Sequence, residues 1–511
     1  MPPLSVLPVL NPARRPMLWM LVLFTGMVSV VVLRSIFDAY GQLQNDSYYY
    51  LRMAYSLVDS GPPLLIHGHY QTTWPPGLPA LIAGIIAVSG EYIGLFWASK
   101  AANILLLSGA LLLLWFRFRE DAPAYAALFA LAPPLMLFSQ TLSEPPFIVG
   151  MLAFVLLLER GLQQKSPMLL FGAGLFPLLL FMLRYIGLFA LGITLPVALI
   201  LLMMGFRREA GSLGAGSLLS IMMMGGWFYL SHQLTGLTTG IERTPAPHTP
   251  LEGLYHLIRA LGDELNLLHV LGNQQPLLFG ITLLMQAALL LWLWQSWKKR
   301  KLKAAQPVSL FTLLCGVTAL LYFTAIALVH IIFGMYSFFY RQVSPASLLL
   351  LAGLLHFLLG MQDDGFRRRV RQVMAAAAIV CIVLYGPGYA VHERVIKEEQ
   401  TRAEYENTVK AMYDAIPPRS VVIYAHHLLY YLRPDIAIEF PLFTPEHAIQ
   451  ESWDDFLQRI HQDYVRNGYN VYIVSIPPDL LRSGTHPSVI EQAREMYEGR
   501  IEIRKMQFSK D

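Results

Sequence analysis

Residues 14–36 read RRPMLWMLVLFTGMVSVVVLRSI. Two arginines precede an uncharged, apolar run of about 18 residues, close to the roughly 20 that a helix needs to cross the hydrocarbon core of a bilayer. The run has no small-residue cleavage site of the A-x-A kind, so it is expected to remain as a first membrane helix over 17–35. Ten more such runs follow, at 97–116, 124–141, 145–160, 167–183, 186–205, 212–231, 275–297, 307–332, 345–361 and 372–390. The apolar segment 76–90 is shorter and opens on Pro75-Pro76, which marks it as interfacial or re-entrant.

Composition agrees with that reading. The 511 residues are 55% hydrophobic and 14% charged, with a mean hydropathy of +0.47. Soluble globular chains are nearer a quarter charged, so an ordinary cytosolic enzyme is excluded. Aromatic residues at 12% exclude a disordered chain. The net charge of +4 is a sum of two unlike parts: residues 1–391 hold 24 Lys and Arg against 15 Asp and Glu, whereas residues 392–511 hold 14 against 19. The two cysteines, Cys315 and Cys381, lie inside apolar runs, which leaves no disulfide framework, CxxC pair or Cys/His zinc cluster.

The basic residues orient the spans. With the N-terminus inside, 17 of the 24 fall on cytoplasmic segments: Arg14/Arg15, Arg117/Arg119, Arg160/Lys165, Arg207/Arg208, Lys298–Lys303 and Arg367–Arg371. Seven fall outside: Arg34, Arg52, Lys100, Arg184, Arg243, Arg259 and Arg341. Promoting 76–90 to a full span would move almost every basic cluster outside. The inner clusters are topology signals and contacts for anionic membrane lipids, not nucleic-acid sites. An odd count places the tail on the outer face. There, 392–416 and 446–465 read as helices, 420–425, 470–476 and 501–508 as strands, and a further helix lies near 487–497. The expected fold is a polytopic α-helical membrane protein with about 11 transmembrane helices, juxtamembrane helices in the first outer loop, and a small C-terminal α/β soluble domain. The transmembrane domain is expected over 1–391, its first outer loop over 37–96, and the soluble domain over 392–511.

Polar residues outside the inner clusters gather on the outer face. The first outer loop holds Asp38, Asp46, Tyr48-Tyr49-Tyr50, His67 and His69, with a helix expected over 47–58. Ser143-Glu144, Arg184-Tyr185, Tyr340-Arg341 and Lys100 sit at outer turns or span ends, and Glu242-Arg243 lies in the long outer loop expected over 232–274. An ionisable group at membrane depth costs about 2.5–3.5 kcal/mol even on insertion scales, so each is a functional candidate. Each also has a plainer reading. Asp46 fits a helix N-cap as well as a catalytic base. The three tyrosines fit an aromatic belt. Lys100, Arg184 and Arg341 can snorkel to lipid phosphate. His67/His69 and His426/His427 lack a third ligand in register, and His330 and His356 read as structural histidines. Their shared compartment favours chemistry on a lipid-linked phosphate, with a carboxylate to take a proton and cations to receive a leaving phosphate.

The run Asn45-Asp46-Ser47-Tyr48-Tyr49-Tyr50-Leu51 with Ala54, followed by Thr73-Trp74-Pro75-Pro76-Gly77-Leu78-Pro79, resembles the first outer loop of C-type, polyprenyl-phosphate-sugar-dependent glycosyltransferases. Bacterial relatives of protein O-mannosyltransferase and of the lipid A aminoarabinose transferase are the nearest in pattern. Lys100-Ala101-Ala102-Asn103, Ser143-Glu144, Arg184-Tyr185-Ile186-Gly187 and Tyr340-Arg341 with Pro345 extend the resemblance over about residues 17–360. It implies Asp46 as catalytic base and Glu144 as a second acidic group. It also implies Lys100, Arg184, Arg243, Arg341, Tyr48 and Tyr49 as substrate or phosphate contacts. Many members carry an Asp-Glu pair where this chain has Asp46-Ser47, which leaves the base but puts a metal contact from the pair in doubt; a divalent metal is the one cofactor left open by the resemblance.

The implied reaction is inverting transfer of a hexosyl or pentosyl unit from a polyprenyl-phosphate sugar to a hydroxyl of a glycan, lipid or protein. It would take place on the outer face of a bacterial inner membrane. Three rivals use the same sequence features differently. A lipid-sugar transporter would show broken helices in paired halves. An O-antigen ligase or polymerase would place its residues in one very long outer loop. A scaffold that only presents the tail would need none of them.

Overall fold

The computed structural model describes residues 15–38, 42–43, 45–59, 72–90, 93–239, 249–266, 276–300, 308–333, 340–361, 363–397, 400–423, 425–439, 453–474 and 503–505. The described chain begins with α1 (Arg15–Phe37), α2 (Asn45–Asp59), α3 (Gly77–Ser89), α4 (Leu95–Phe118), α5 (Ala122–Phe129) and α6 (Ala132–Ser139). It continues through α7 (Glu144–Gln164), α8 (Pro167–Leu183), a 3₁₀ turn at Tyr185–Ala190, α9 (Leu191–Met203) and α10 (Arg207–Thr235). Then come α11 (Pro250–Leu265), α12 (Pro276–Arg300), α13 (Leu310–Phe333), α14 (Tyr340–Leu359) and α15 (Asp364–Val383). α16 (Tyr389–Val391) continues α15 through π-helical turns to Ile396.

Among the described residues, eight helices are long and apolar enough to cross a membrane. They are Pro16–Phe37, Leu95–Phe129, Glu144–Gln164, Tyr185–Met203, Arg207–Thr235, Leu310–His330, Arg341–Leu359 and Asp364–Ile396. Gly77–Ser89, Pro167–Leu183 and Gly280–Gln295 are apolar but shorter. Large apolar side chains on the spans face outward, among them Leu105, Leu112, Leu199, Met222 and Leu320. A water-soluble surface rarely tolerates this, and a bilayer requires it. The chain is a multi-pass membrane protein.

All eleven expected runs are occupied by helix, with one internal correction. The run 124–141 is not continuous: α5 ends at Phe129, Leu131 is extended, and α6 restarts at Ala132 with Pro133 and Pro134 in its first turn. Proline is accommodated there because the first helical N–H groups have no carbonyl partner, whereas in a helix interior its ring would strike the carbonyl four residues back. The expected outer loop 232–274 also contains a helix. Thr249 caps α11 through the Glu252 N–H, and the Glu252 carboxylate returns to the Thr249 N–H at 2.7 Å. This is a capping box with proline at the first turn.

α11 packs on α14, where the Ser344 hydroxyl donates to Glu264 Oε1 at 2.8 Å. Glu264 is buried, and desolvation pushes its carboxyl up to about 8 from 4.5. The folded protein therefore keeps this proton over a range in which the unfolded chain has lost it. Stability is fully present below about pH 4.5, falls as pH rises towards 8, and is flat above. Thermal melting in detergent should show this slope, on the order of 2 °C per kcal/mol lost, and Glu264→Gln should flatten it. An equal slope in both proteins would contradict the assignment.

The C-terminal part contains α17 (Arg402–Met412), β1 (Ser420–Ile423), α18 (Leu429–Leu432), β2 (Ala437–Glu439), α19 (Trp453–Asp463), β3 (Asn470–Val474) and β4 (Ile503–Lys505). The sheet order is β2-β1-β3-β4. β1 is parallel to β2 and β3, β4 is antiparallel to β3, and every residue of β1 is buried. Parallel neighbours need crossovers, which matches the alternation read from the sequence. The expected helix near 487–497 lies outside the described residues.

Candidate active site

Two ends of the helix bundle carry different chemistry. At one end, the Arg117 guanidinium grips Glu159 through two hydrogen bonds of 2.9 and 2.6 Å, and Arg371 donates to Asp121 at 2.8 Å. At the other end, the starts of α2, α7 and α14 converge. Asp46 lies in the first turn of α2, Glu144 opens α7, and Arg341 is the second residue of α14. Arg341 Nη1 donates to Asp46 Oδ2 at 3.1 Å, and its Nε lies 3.9 Å from Glu144 Oε1. Arg184 forms an ion pair with the same Glu144 oxygen and donates to Ser143 Oγ at 3.3 Å. The result is an alternating row, Arg184–Glu144–Arg341–Asp46. Glu144 is buried between the two arginines, and the Asp46 side chain, which ends the row, is 30% exposed. The acids sit at helix N-termini, where the macrodipole favours them.

Neighbouring elements fix each member. Asn103 Nδ2 donates to Phe138 O at 2.8 Å and to Gln140 O at 2.7 Å. Lys100 Nζ donates to Ser139 O at 2.7 Å and to Thr141 Oγ1 at 3.1 Å. These carbonyls have no further helical partner beyond α6, so two α4 side chains cap its end and hold the turn that delivers Glu144. Ser99 adds a hydroxyl–hydroxyl bond of 2.7 Å to Thr141. Arg184 is extended, with its N–H on Leu180 O at 2.9 Å and its carbonyl receiving Gly187 N–H at 2.7 Å. A Cβ on Gly187 would lie 2.2 Å from the Leu180 carbonyl carbon, and one on Gly77 would lie 2.5 Å from Met182 O. Both glycines let backbone close against the end of α8 beside Arg184.

The structure sorts the expected residues. Asp46, Glu144, Arg184 and Arg341 come together. Asp46 does not act as an N-cap from outside the helix, because α2 already begins at Asn45. Lys100 is fully buried on the Ser139 carbonyl and the Thr141 hydroxyl rather than snorkelling, and lies 4.7 Å from the Phe96 ring centroid. Tyr48 and Tyr49 are not an exposed belt: Tyr48 stacks on His427 at 5.6 Å, and Tyr49 on Trp74 at 4.3 Å. Asp38 pairs with Arg34 at 3.1 Å and accepts from Gln42 at 2.8 Å. His356 bonds Tyr125 at 2.6 Å, and His426 bonds Tyr405 at 2.7 Å. Arg243, Glu242, His67 and His69 lie outside the described residues.

Tyr50 and Ser143 stand in the motifs without an expected role of their own, yet the Tyr50 hydroxyl donates to Ser143 Oγ at 3.1 Å. The available signal was spacing, since Tyr50 is four residues from Asp46 and so shares its helix face. Among the described residues, no group of three or more His, Cys, Asp or Glu gathers for a metal. Asp46 and Glu144 each already face a guanidinium, so an ion between them would lie against Arg341. This donor set does not fit a divalent metal.

No protein-family model matches the sequence, and no curated protein matches it. Solved structures do. The apo structure of ArnT from Cupriavidus metallidurans is similar with a TM-score of 0.56 at 14% identity, over 90% of this chain and 94% of that one. The same protein bound to undecaprenyl phosphate gives 0.56 at 15%, with the same coverage. The apo oligosaccharyltransferase of Archaeoglobus fulgidus gives 0.47 at 12%, over 90% of this chain and 69% of that one. The chain shares the fold of ArnT, in line with the fold expected from the sequence.

Proposed function

We propose that the chain is an inverting glycosyltransferase that moves a sugar from a polyprenyl phosphate to a hydroxyl acceptor on the outer face of the membrane. One observation carries the reading: the Arg184–Glu144–Arg341–Asp46 row at the meeting of three helix N-termini, beside the ends of the spans. The ArnT structure with undecaprenyl phosphate supports the donor class through the shared fold. By this reading the N-terminus is cytoplasmic in a bacterial inner membrane, and residues 392–511 form the outer soluble domain.

The residues have distinct tasks. The acceptor oxygen attacks the anomeric carbon from the side opposite the phosphate, and its proton passes to the Asp46 carboxylate. The bond from the anomeric carbon to the phosphate oxygen breaks, and polyprenyl phosphate leaves with that electron pair. Arg341 sits between two carboxylates, where its charge is already oriented. As phosphate charge develops, Arg341 turns to it, assisted by the positive end of α14, and releases Asp46 to act as base. Glu144 and Arg184 keep Arg341 within reach, and Lys100 keeps the Glu144 turn in place.

Membranes containing the protein should transfer labelled sugar from at least one polyprenyl-phosphate hexose or pentose, releasing one polyprenyl phosphate per sugar. Arg341→Ala should lower the rate about 10²- to 10³-fold, with Arg341→Lys in between. Absence of transfer from every such donor by the wild type would overturn the assignment, as would full activity of Arg341→Ala.

A further inference from the structure

The helix that carries Asp46 is held on two sides. At about 100° per residue, Asp46 and Tyr50 lie on one face of α2, and Tyr48, Tyr49 and Arg52 cluster about 130° away. The first face meets the membrane body through the Asp46–Arg341 pair and the Tyr50–Ser143 hydrogen bond. The second meets the C-terminal segment 426–434. The His427 ring stacks on Tyr48 with an interplanar angle of 23°. The Tyr430 ring lies 5.4 Å from that of Tyr49 and the two side chains are hydrogen-bonded, while Tyr49 also stacks on Trp74. Arg52 Nη1 donates to the Pro434 carbonyl at 2.6 Å. Tyr48, Arg52 and Tyr430 are all buried in this contact. A separate link ties the C-terminal part to the start of α4: the Phe96 ring has Lys100 4.7 Å and Arg402 4.9 Å from its centroid.

We propose that segment 426–434 positions the base, with Tyr430 and Pro434 fixing the placement of α2 through Tyr49 and Arg52 and thereby the reach of Asp46. The inference rests on the transferase reading for its kinetic consequence but not for its geometry. α18, which includes Tyr430, is a single short turn, so its position follows the domain that contains it. The C-terminal part therefore acts on transfer without supplying an atom to the reaction. A shift of about 1 Å in a reacting group is enough to cost about 10²-fold in rate.

The test uses Tyr430→Ala, Tyr430→Phe and Arg52→Gln in the full-length protein. Tyr430→Ala should lower kcat about 10- to 100-fold with the donor KM unchanged, and Tyr430→Phe, which keeps the ring but loses the hydroxyl bonded to Tyr49, should recover most of it. Arg52→Gln should fall in the same direction as Tyr430→Ala.

The second readout needs no turnover. Spin labels at exposed Asp59, in the last turn of α2, and exposed Leu188, beside Arg184, report the distance between α2 and the body. The native Cys315 and Cys381 are buried and stay unlabelled. Tyr430→Ala should broaden or shift the distance distribution, and Tyr430→Phe should do so less. An unchanged distribution in Tyr430→Ala overturns the proposal, as does a raised acceptor KM without a distance change, which would make Tyr430 a binding residue. Should the wild type transfer no sugar, the transferase reading falls, and the distance measurement alone decides the positioning role.

Discussion

Asp46→Asn should lower sugar transfer by about 10²- to 10⁴-fold, the usual worth of a positioned proton acceptor, with the donor KM and the melting temperature almost unchanged. The substitution keeps size and keeps an oxygen that can accept from Arg341, which now stands 3.1 Å away. What it removes is the ability to take the acceptor proton. The same change separates catalysis from helix start chemistry. Asn serves a helix N-terminus about as well as Asp does, and the lost dipole interaction is worth only about 0.3–1 kcal/mol at an exposed position. A merely structural Asp46 would therefore leave transfer intact. Single-turnover rates with a fixed donor, measured beside thermal melts, distinguish the cases, and an active Asp46→Asn protein would remove Asp46 from the mechanism.

Glu144→Gln is expected to fail differently, through stability as well as rate. Glu144 is buried and holds both Arg184 and Arg341, so neutralising it leaves two guanidinium groups facing one carboxylate. Removing one partner of a buried pair costs about 3–5 kcal/mol. The lower end applies here, because the Arg184 side chain retains 20% exposure and some access to water. Melting in detergent should show a clear drop. The double variant Glu144→Gln with Arg184→Gln should recover part of it, because the orphaned charge is then gone. Transfer should fall in both, since Arg341 loses the carboxylate that holds it between uses. Additive losses in the double variant would mean that the two residues do not act as a pair.

The bilayer made most of the fold legible. A fixed hydrocarbon thickness imposes a length and an apolar composition on every crossing segment, and each expected run is helical. The exceptions have local causes. Pro133-Pro134 splits 124–141, and both prolines were visible, but a hydropathy window averages over them. α11 was readable from Thr249-Pro250-Leu251-Glu252, a capping box inside a stretch taken as loop because its apolar residues cover only one face. The three candidates Glu144, Arg184 and Arg341 followed from where charge sits relative to the spans. Their pairing did not, since Asp46 and Arg341 meet across 295 residues of chain. Lys100 shows the opposite limit. Its type and place at a span end suit a phosphate ligand, yet it donates two hydrogen bonds to the turn after α6, whose acceptors no sequence pattern announces.

The alternating row has one more consequence. Its two cations and two anions cancel, so the site casts almost no long-range field, and beyond about one Debye length, roughly 8 Å in physiological salt, a passing phosphate feels little. Capture of a donor cannot depend on attraction through the aqueous phase. It depends on lateral arrival within the lipid and on contact at close range. Ionic strength should then be a weak lever on donor affinity, and the fit of the first sugar and phosphate against the four side chains a strong one.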